Sequence, residues 1–201
     1  KKTVFKEKPL ISIVIPLYNT PKEYLKELID SVRAQTYTNW QLCLADGSEG
    51  PETRAFLNKK YRKENRITYK KLKENKGISE NAAMKLAAGE YILLCDHDDV
   101  LTPDALFYIA KAITEQKADV IYTDEDKVSM DGKHYFEPNF KPDYNLFRLR
   151  ENNYICHIFT FKRSLLEQTG TFRPEYDGAQ DFDLILRCCE QAERIVHIPR
   201  V

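Results

Sequence analysis

Residues 10–19, LISIVIPLYN, are apolar at almost every position and rich in β-branched side chains. A strand of that kind has no polar face to turn towards water, so it has to be covered on both sides. This requirement selects a layered fold with helices packed on both faces of a sheet. The next segment supplies the first helix. PKEYLKELIDSVRAQT sets Tyr24, Leu25, Leu28, Ile29 and Val32 at helical spacing, and Pro21 falls in the first turn, where its missing N–H costs little. WQLCLADGS is a second strand ending in acid and glycine. A helix over about 51–63, the strand RITYKKL, the helix SENAAMKLAAG and the strand YILLC follow. Alternation of strand and helix predicts an α/β fold with an open, mostly parallel sheet, whose ligands bind at the carboxyl ends of the strands.

The second half changes character. A helix over about 103–116 and a strand ADVIYTDEDKV lead into SMDGKHYFEPNFKPDYNLFRLRENN, an irregular, aromatic-rich stretch with a hairpin signal at Asp131-Gly132. A strand YICHIFTFK, a helix RSLLEQTG closed by Gly170, a turn at Gly178, a helix QDFDLILRCCEQA and a last strand complete the chain. The 201 residues suit one domain, and the stop within a strand, IVHIPRV, reads as a domain excised from a longer protein.

Lys and Arg number 31 and so do Asp and Glu, so nothing in the net charge asks for nucleic acid as a partner. The basic run over residues 59–76 reads as a solvated helix end and strand, with peripheral attraction to an anionic membrane or polymer as the alternative. Five cysteines without a Cys-x-x-Cys pair give neither a zinc framework nor an obvious disulfide set, which points to a reducing compartment, the cytoplasm or the inner face of the plasma membrane. No apolar run reaches the ~18 residues that a membrane span needs.

YILLCDHDDV, residues 91–100, runs from a buried strand into Asp96, Asp98 and Asp99. Burying carboxylates costs several kcal/mol unless something positive replaces the lost hydration, and oxygen ligands alone favour Mg²⁺ or Mn²⁺. In an extended segment Asp96 and Asp98 share a side while His97 and Asp99 face elsewhere. An ordinary helix-capping turn is the competing reading. Tyr18 and Asn19 end the first strand and Asp46, Gly47 and Ser48 the second, so three strand ends carry polar groups suited to one shared site.

The ordered set Pro16, Tyr18, Asn19; Asp46, Gly47, Ser48; Asn75, Lys76, Gly77, Asn81, Ala82; Asp96, Asp98, Asp99; and GAQDFDL at 178–184 resembles family 2 of the inverting glycosyltransferases, which have the GT-A fold. YTDEDK, NYICHIFTFKRSLLEQTGTFR and AQDFDLILR look most like the branch that assembles bacterial polysaccharide, O-antigen and capsule. The resemblance implies a donor half at about 9–100 and an acceptor and catalytic half at about 101–201. It implies a nucleoside diphosphate sugar donor, an acceptor hydroxyl on a glycan or lipid-linked glycan, and Mn²⁺ or Mg²⁺ as cofactor.

Under that resemblance Tyr18 offers a stacking face to the base and Asn19 a hydrogen bond. Asp46 accepts an imide N–H, favouring UDP or dTDP donors, or else makes only an Asx turn with Ser48. Pro16, Asn81 and the Asn75-Lys76-Gly77 loop join the donor site, the loop by contact with the diphosphate. Asp96 meets the ribose or a metal-bound water and Asp98 binds the metal. Asp181 is the general base, with N-terminal capping of its helix as the competing role. Gln180 stands where the family has Glu. Asp183 reads as structural, and Asp124, Glu125 and Asp126 as either acceptor-side groups or a solvated turn. His157 and His197 read as ordinary strand histidines. A nucleotide-sugar-binding module without transfer activity would keep the donor residues and have no need of Asp181.

Overall fold

In the computed structural model, which describes residues 5–73 and 79–201, nine strands and seven α-helices alternate in the predicted manner. The elements of the first half are β1 (Ile11–Leu17), α1 (Lys22–Arg33), β2 (Trp40–Asp46), α2 (Glu52–Lys60), β3 (Ile67–Lys71), α3 (Ser79–Met84) and β4 (Tyr91–Leu94). They are followed by α4 (Ala105–Gln116), β5 (Val120–Thr123), β6 (Glu125–Val128), β7 (Tyr135–Asn139), α5 (Leu146–Glu151), β8 (Phe159–Lys162), α6 (Leu166–Thr169), α7 (Gln180–Gln191) and β9 (Ile195–Ile198).

Seven strands form one sheet in the order β3-β2-β1-β4-β8-β5-β9. Only β8 runs antiparallel to its neighbours. The order reverses between β1 and β4, so a crevice opens beyond the carboxyl ends of those two strands, the ordinary ligand position in such sheets. The β1 sequence explains why it lies centrally. Ile11, Ile13, Ile15 and Leu17 face a core built with α1 and α4, whereas Val14 faces a second core with α3, α5 and α7. Gly89, entering β4, permits the close approach of the two chains: a Cβ there would lie 2.5 Å from the Leu10 carbonyl oxygen.

Three segments depart from expectation. The strand predicted over 118–128 breaks at Asp124, whose carboxylate turns inward to accept hydrogen bonds from Lys141 N–H and the His197 ring. Its second part, β6, instead pairs with β7 as the hairpin signalled by Asp131-Gly132. YICHIFTFK is a strand only from Phe159, and residues 152–158 form a strap across the sheet end. Cys188 and Cys189, adjacent on α7, would be expected to divide between core and surface. Both are buried in one core, because α6 covers one flank of α7 and the sheet residue Tyr122 lies towards the other. Among the described residues no helix is long and apolar enough to cross a membrane.

Candidate active site

Leu17 and Asp46 end β1 and β2 opposite one another, which brings Tyr18-Asn19 beside Gly47-Ser48. The Ser48 N–H donates to Asp46 Oδ1 at 2.9 Å, completing the Asx turn, and the Ser48 hydroxyl accepts from the Asn19 N–H at 2.7 Å. Asn19 takes a left-handed backbone, φ 48°, which Asn tolerates better than most residues. The chain therefore turns sharply and leaves the Tyr18 ring 53% exposed at the strand end. Asp46 itself is fully buried. Its Oδ2 accepts from the Tyr69 hydroxyl at 2.6 Å and lies 3.3 Å from the Lys71 ammonium. These bonds hold its carboxyl below the ordinary range against the opposing pull of burial, which is the largest single influence. Pro16 is partly buried in β1, opposite Ala45. Asn75, Lys76 and Gly77 lie outside the described residues.

Beyond β4 the acids are not extended. Residues 97 and 98 turn, the Asp99 N–H approaches the Asp96 carbonyl at 3.4 Å, and Asp99 Oδ2 accepts from the Asp96 N–H at 3.3 Å. The turn replaces the alternation expected of a strand and puts Asp96 and Asp99, rather than Asp96 and Asp98, side by side. His157, on the strap, joins them: its Nε2 lies 3.3 Å from Asp96 Oδ2, and ligand atoms of Asp96, Asp99 and His157 all fall within 4.8 Å. The Asp96 bond raises His157 to about 11, and the same bond lowers Asp96. Burial raises Asp99. His157 Nδ1 is buried without a hydrogen-bond partner. Asp98 is exposed on the outer side of the turn, where it lines a cleft of about 1080 Å³ together with Asp99, His157 and the β6–β7 hairpin.

Asp181 sits in the first turn of α7. It makes no capping bond, since Ala179 is the N-cap and no side chain closes that end. Gln180 Oε1 instead accepts from the Gly178 N–H at 2.7 Å, so the residue in place of the family's Glu fastens the turn. Burial pushes the Asp181 carboxyl up to about 6, the negative charges of Asp96 and Glu80 add to this, and His157 opposes it. Asp181 thus lies within electrostatic reach of Asp96 and His157. Asp183, two residues on, is structural as expected: it is buried and bonded to Arg173 and Arg187. Asn81 has both amide atoms engaged with the Phe172 main chain, donating at 2.8 Å and accepting at 3.0 Å. It links α3 to the segment that leads into α7.

A model of the family described as "Glycosyl transferase family 2" matches residues 12–170, well over half the chain. The chain belongs to that family. Among relatives of this glycosyltransferase domain, an uncharacterized protein of Sinorhizobium fredii is 42% identical over 96% of the chain and 22% of its own length. The O-antigen biosynthesis protein RfbC of Myxococcus xanthus is 33% identical over 95% of the chain and 15% of its own length. The chain thus spans less than a quarter of the length of those curated relatives. In the solved structures, residues 1–349 of S. aureus TarS in complex with UDP-GlcNAc superpose with a TM-score of 0.75 at 24% identity, covering 94% of this chain and 55% of that fragment. The GT-A fold expected from the sequence is the fold of this glycosyltransferase domain.

In the acidic stretch after β5, the first two carboxylates are engaged within the fold. Asp124 is buried against His197, whose ring stacks on Tyr122 at 4.9 Å, and Glu125 accepts from Lys141 at 2.9 Å. His157, which reads as an ordinary strand histidine in the sequence, leaves the strand and meets Asp96; nothing local marks a residue that joins a turn so distant in the chain.

Proposed function

We propose that this domain transfers a sugar, with inversion at the anomeric carbon, from a nucleoside diphosphate donor of the UDP or dTDP type to a hydroxyl of a glycan or lipid-linked acceptor. The setting proposed is a longer protein that builds bacterial cell-surface polysaccharide, working in the cytoplasm or at the inner membrane face. The relative named for O-antigen biosynthesis and the TarS complex with UDP-GlcNAc support the pathway class and the donor class. The observation that carries the reading is Asp181. A carboxyl that caps nothing and is raised to about 6 beside the β4 acids is poised to take a proton near neutral pH.

In the proposed transfer the acceptor oxygen forms its bond to the anomeric carbon as the bond from that carbon to the diphosphate oxygen breaks. The electron pair leaves with the nucleoside diphosphate, and the acceptor proton passes to an Asp181 oxygen. Tyr18 gives the base an exposed stacking face. Asp46 acts on the same face through Ser48, which fixes Asn19, and its own buried oxygens stabilise that turn.

The donor set of Asp96, Asp99 and His157, with Asp98 on the same turn, fits a divalent ion. Two carboxylates with an imidazole suit Mn²⁺ better than Mg²⁺, which prefers oxygen ligands throughout. His157, held positive by Asp96, supplies charge that an ion would take over, with release of the ring proton. When bound, the ion neutralises charge growing on the leaving diphosphate.

A thermal-shift series with UDP, dTDP and GDP, each with and without Mn²⁺, tests the donor class, since a ligand of the native state raises apparent stability by mass action. UDP or dTDP with Mn²⁺ should give the largest shift. Release of free sugar from a matching nucleotide sugar separates an enzyme from a binding module. No shift with any nucleotide would contradict the proposal.

A further inference from the structure

Lys141 carries a charge into the protein interior. Its side chain is 0% exposed, and its ammonium donates to Glu125 Oε2 at 2.9 Å, to the Ile155 carbonyl at 2.7 Å and to the His157 carbonyl. An ammonium has three N–H donors, so all are engaged. Two of the acceptors flank Cys156, whose backbone is left-handed at φ 40°, and the Cys156 N–H in turn donates to Asn153 Oδ1 at 3.2 Å. A buried lysine is expensive unless it is paired, and Glu125 provides the pair. Glu125 balances the charge, and the two remaining donors still need acceptors. The other two bonds go to the strap, on either side of the residue that precedes His157.

We propose that Lys141 is a positioning residue for the Asp96–Asp99–His157 cluster: its ammonium fixes the carbonyls of Ile155 and His157 and so sets where the His157 imidazole meets Asp96. The Lys141 main chain is anchored separately, through its N–H to Asp124 Oδ1 at 2.9 Å, the same oxygen that holds His197 at 2.8 Å. Two histidine–carboxylate pairs therefore lie on either side of one residue, and only one depends on its side chain. The geometry of the strap stands without any metal. The consequence for metal affinity rests on the function proposed above.

The test uses protein labelled with ¹⁵N in its histidine rings, with the four rings assigned from single His→Ala variants. Hydrogen-bonded ring N–H signals are expected for His157 and His197 in the parent. Lys141→Met keeps the apolar stem and removes the donors. It should abolish or move the His157 signal and leave that of His197 in place. An unchanged His157 signal would overturn the proposal, and so would loss of both signals together, the mark of general loosening. If Lys141→Met does not fold, Lys141→Gln, with two donors on a shorter stem, is read in the same way.

Mn²⁺ binding, followed by its paramagnetic resonance, gives the second readout. Outer contacts to metal ligands are typically worth about 10–100-fold in affinity. Lys141→Met should weaken binding by about that factor, as His157→Ala does, and the double variant should lose no more than His157→Ala alone. Additive losses would contradict action through His157. A parent that takes up no Mn²⁺ would remove the metal reading and leave the ring signals to decide the role of Lys141.

Discussion

The Asn81 side chain brackets the main chain of Phe172, donating to its carbonyl at 2.8 Å and accepting from its N–H at 3.0 Å. The amide imitates a strand neighbour and joins two segments 91 residues apart, one from each half of the domain. Phe172 is buried, so Asn81→Ala leaves an N–H and a carbonyl without partners near a core. Each such group costs about 1–3 kcal/mol. The variant should melt several degrees below the parent in a calorimeter, while its UDP affinity changes less than its transfer rate. A parent-like melting temperature would show that water replaces the amide at no cost.

Asp46→Ala should lower both stability and UDP affinity. It removes the acceptor of Tyr69 and Ser48 and the partner of a partly exposed Lys71. The expected loss is about 1–3 kcal/mol, with looser binding because Ser48 no longer fixes Asn19. Chemical denaturation and UDP calorimetry check the two effects. Unchanged UDP affinity in this variant would contradict the role given to the Ser48 turn.

Metal binding should need both the turn and the strap. His157→Ala is expected to weaken Mn²⁺ by at least about tenfold, and Asp96→Ala to remove the metal-dependent part of UDP binding. Chelation with EDTA should reduce the parent to the level of the variants. UDP binding that is identical in parent and variants across a manganese titration would contradict the assignment.

Much of this site was legible before the fold. A strand apolar on both faces requires a parallel layered sheet, and such a sheet places Tyr18, Asp46 and Asp96 at one end. The place of Asp181 at the start of a helix was legible as well, whereas its role as a base came only from the family resemblance and is a proposal. The pairing of Asp96 with Asp99 was not, because alternation holds only while the chain stays extended, and here it turns directly after Cys95. His157 and Lys141 were hidden for another reason. A loop lysine ordinarily reads as solvated, and a histidine near a strand as part of the sheet. Only the tertiary approach of strap to turn gives them a role.

Asp181 predicts a particular dependence on pH. As a base with its carboxyl near 6, it should make kcat/KM rise as pH increases through about 6 and then level off. Stability runs the other way. The unfolded carboxyl titrates near ~3.9, so the folded state holds its proton more tightly, and Asp181 favours the fold most below that value and least above about 6. Asp181→Asn has no such cost, so its melting temperature should gain on the parent's between about pH 4 and 7. A constant difference across that window would show that the carboxyl is not raised.

The most direct test is sugar transfer by the protein and its Asp181→Asn variant at neutral pH, with UDP affinity measured for each. Loss of a general base lowers rate by about 10²–10⁴-fold, or roughly 3–5 kcal/mol of barrier. The account predicts a loss of that size with UDP affinity unchanged and a melting temperature at or above the parent's. Transfer by the variant at near-parent rate would contradict it.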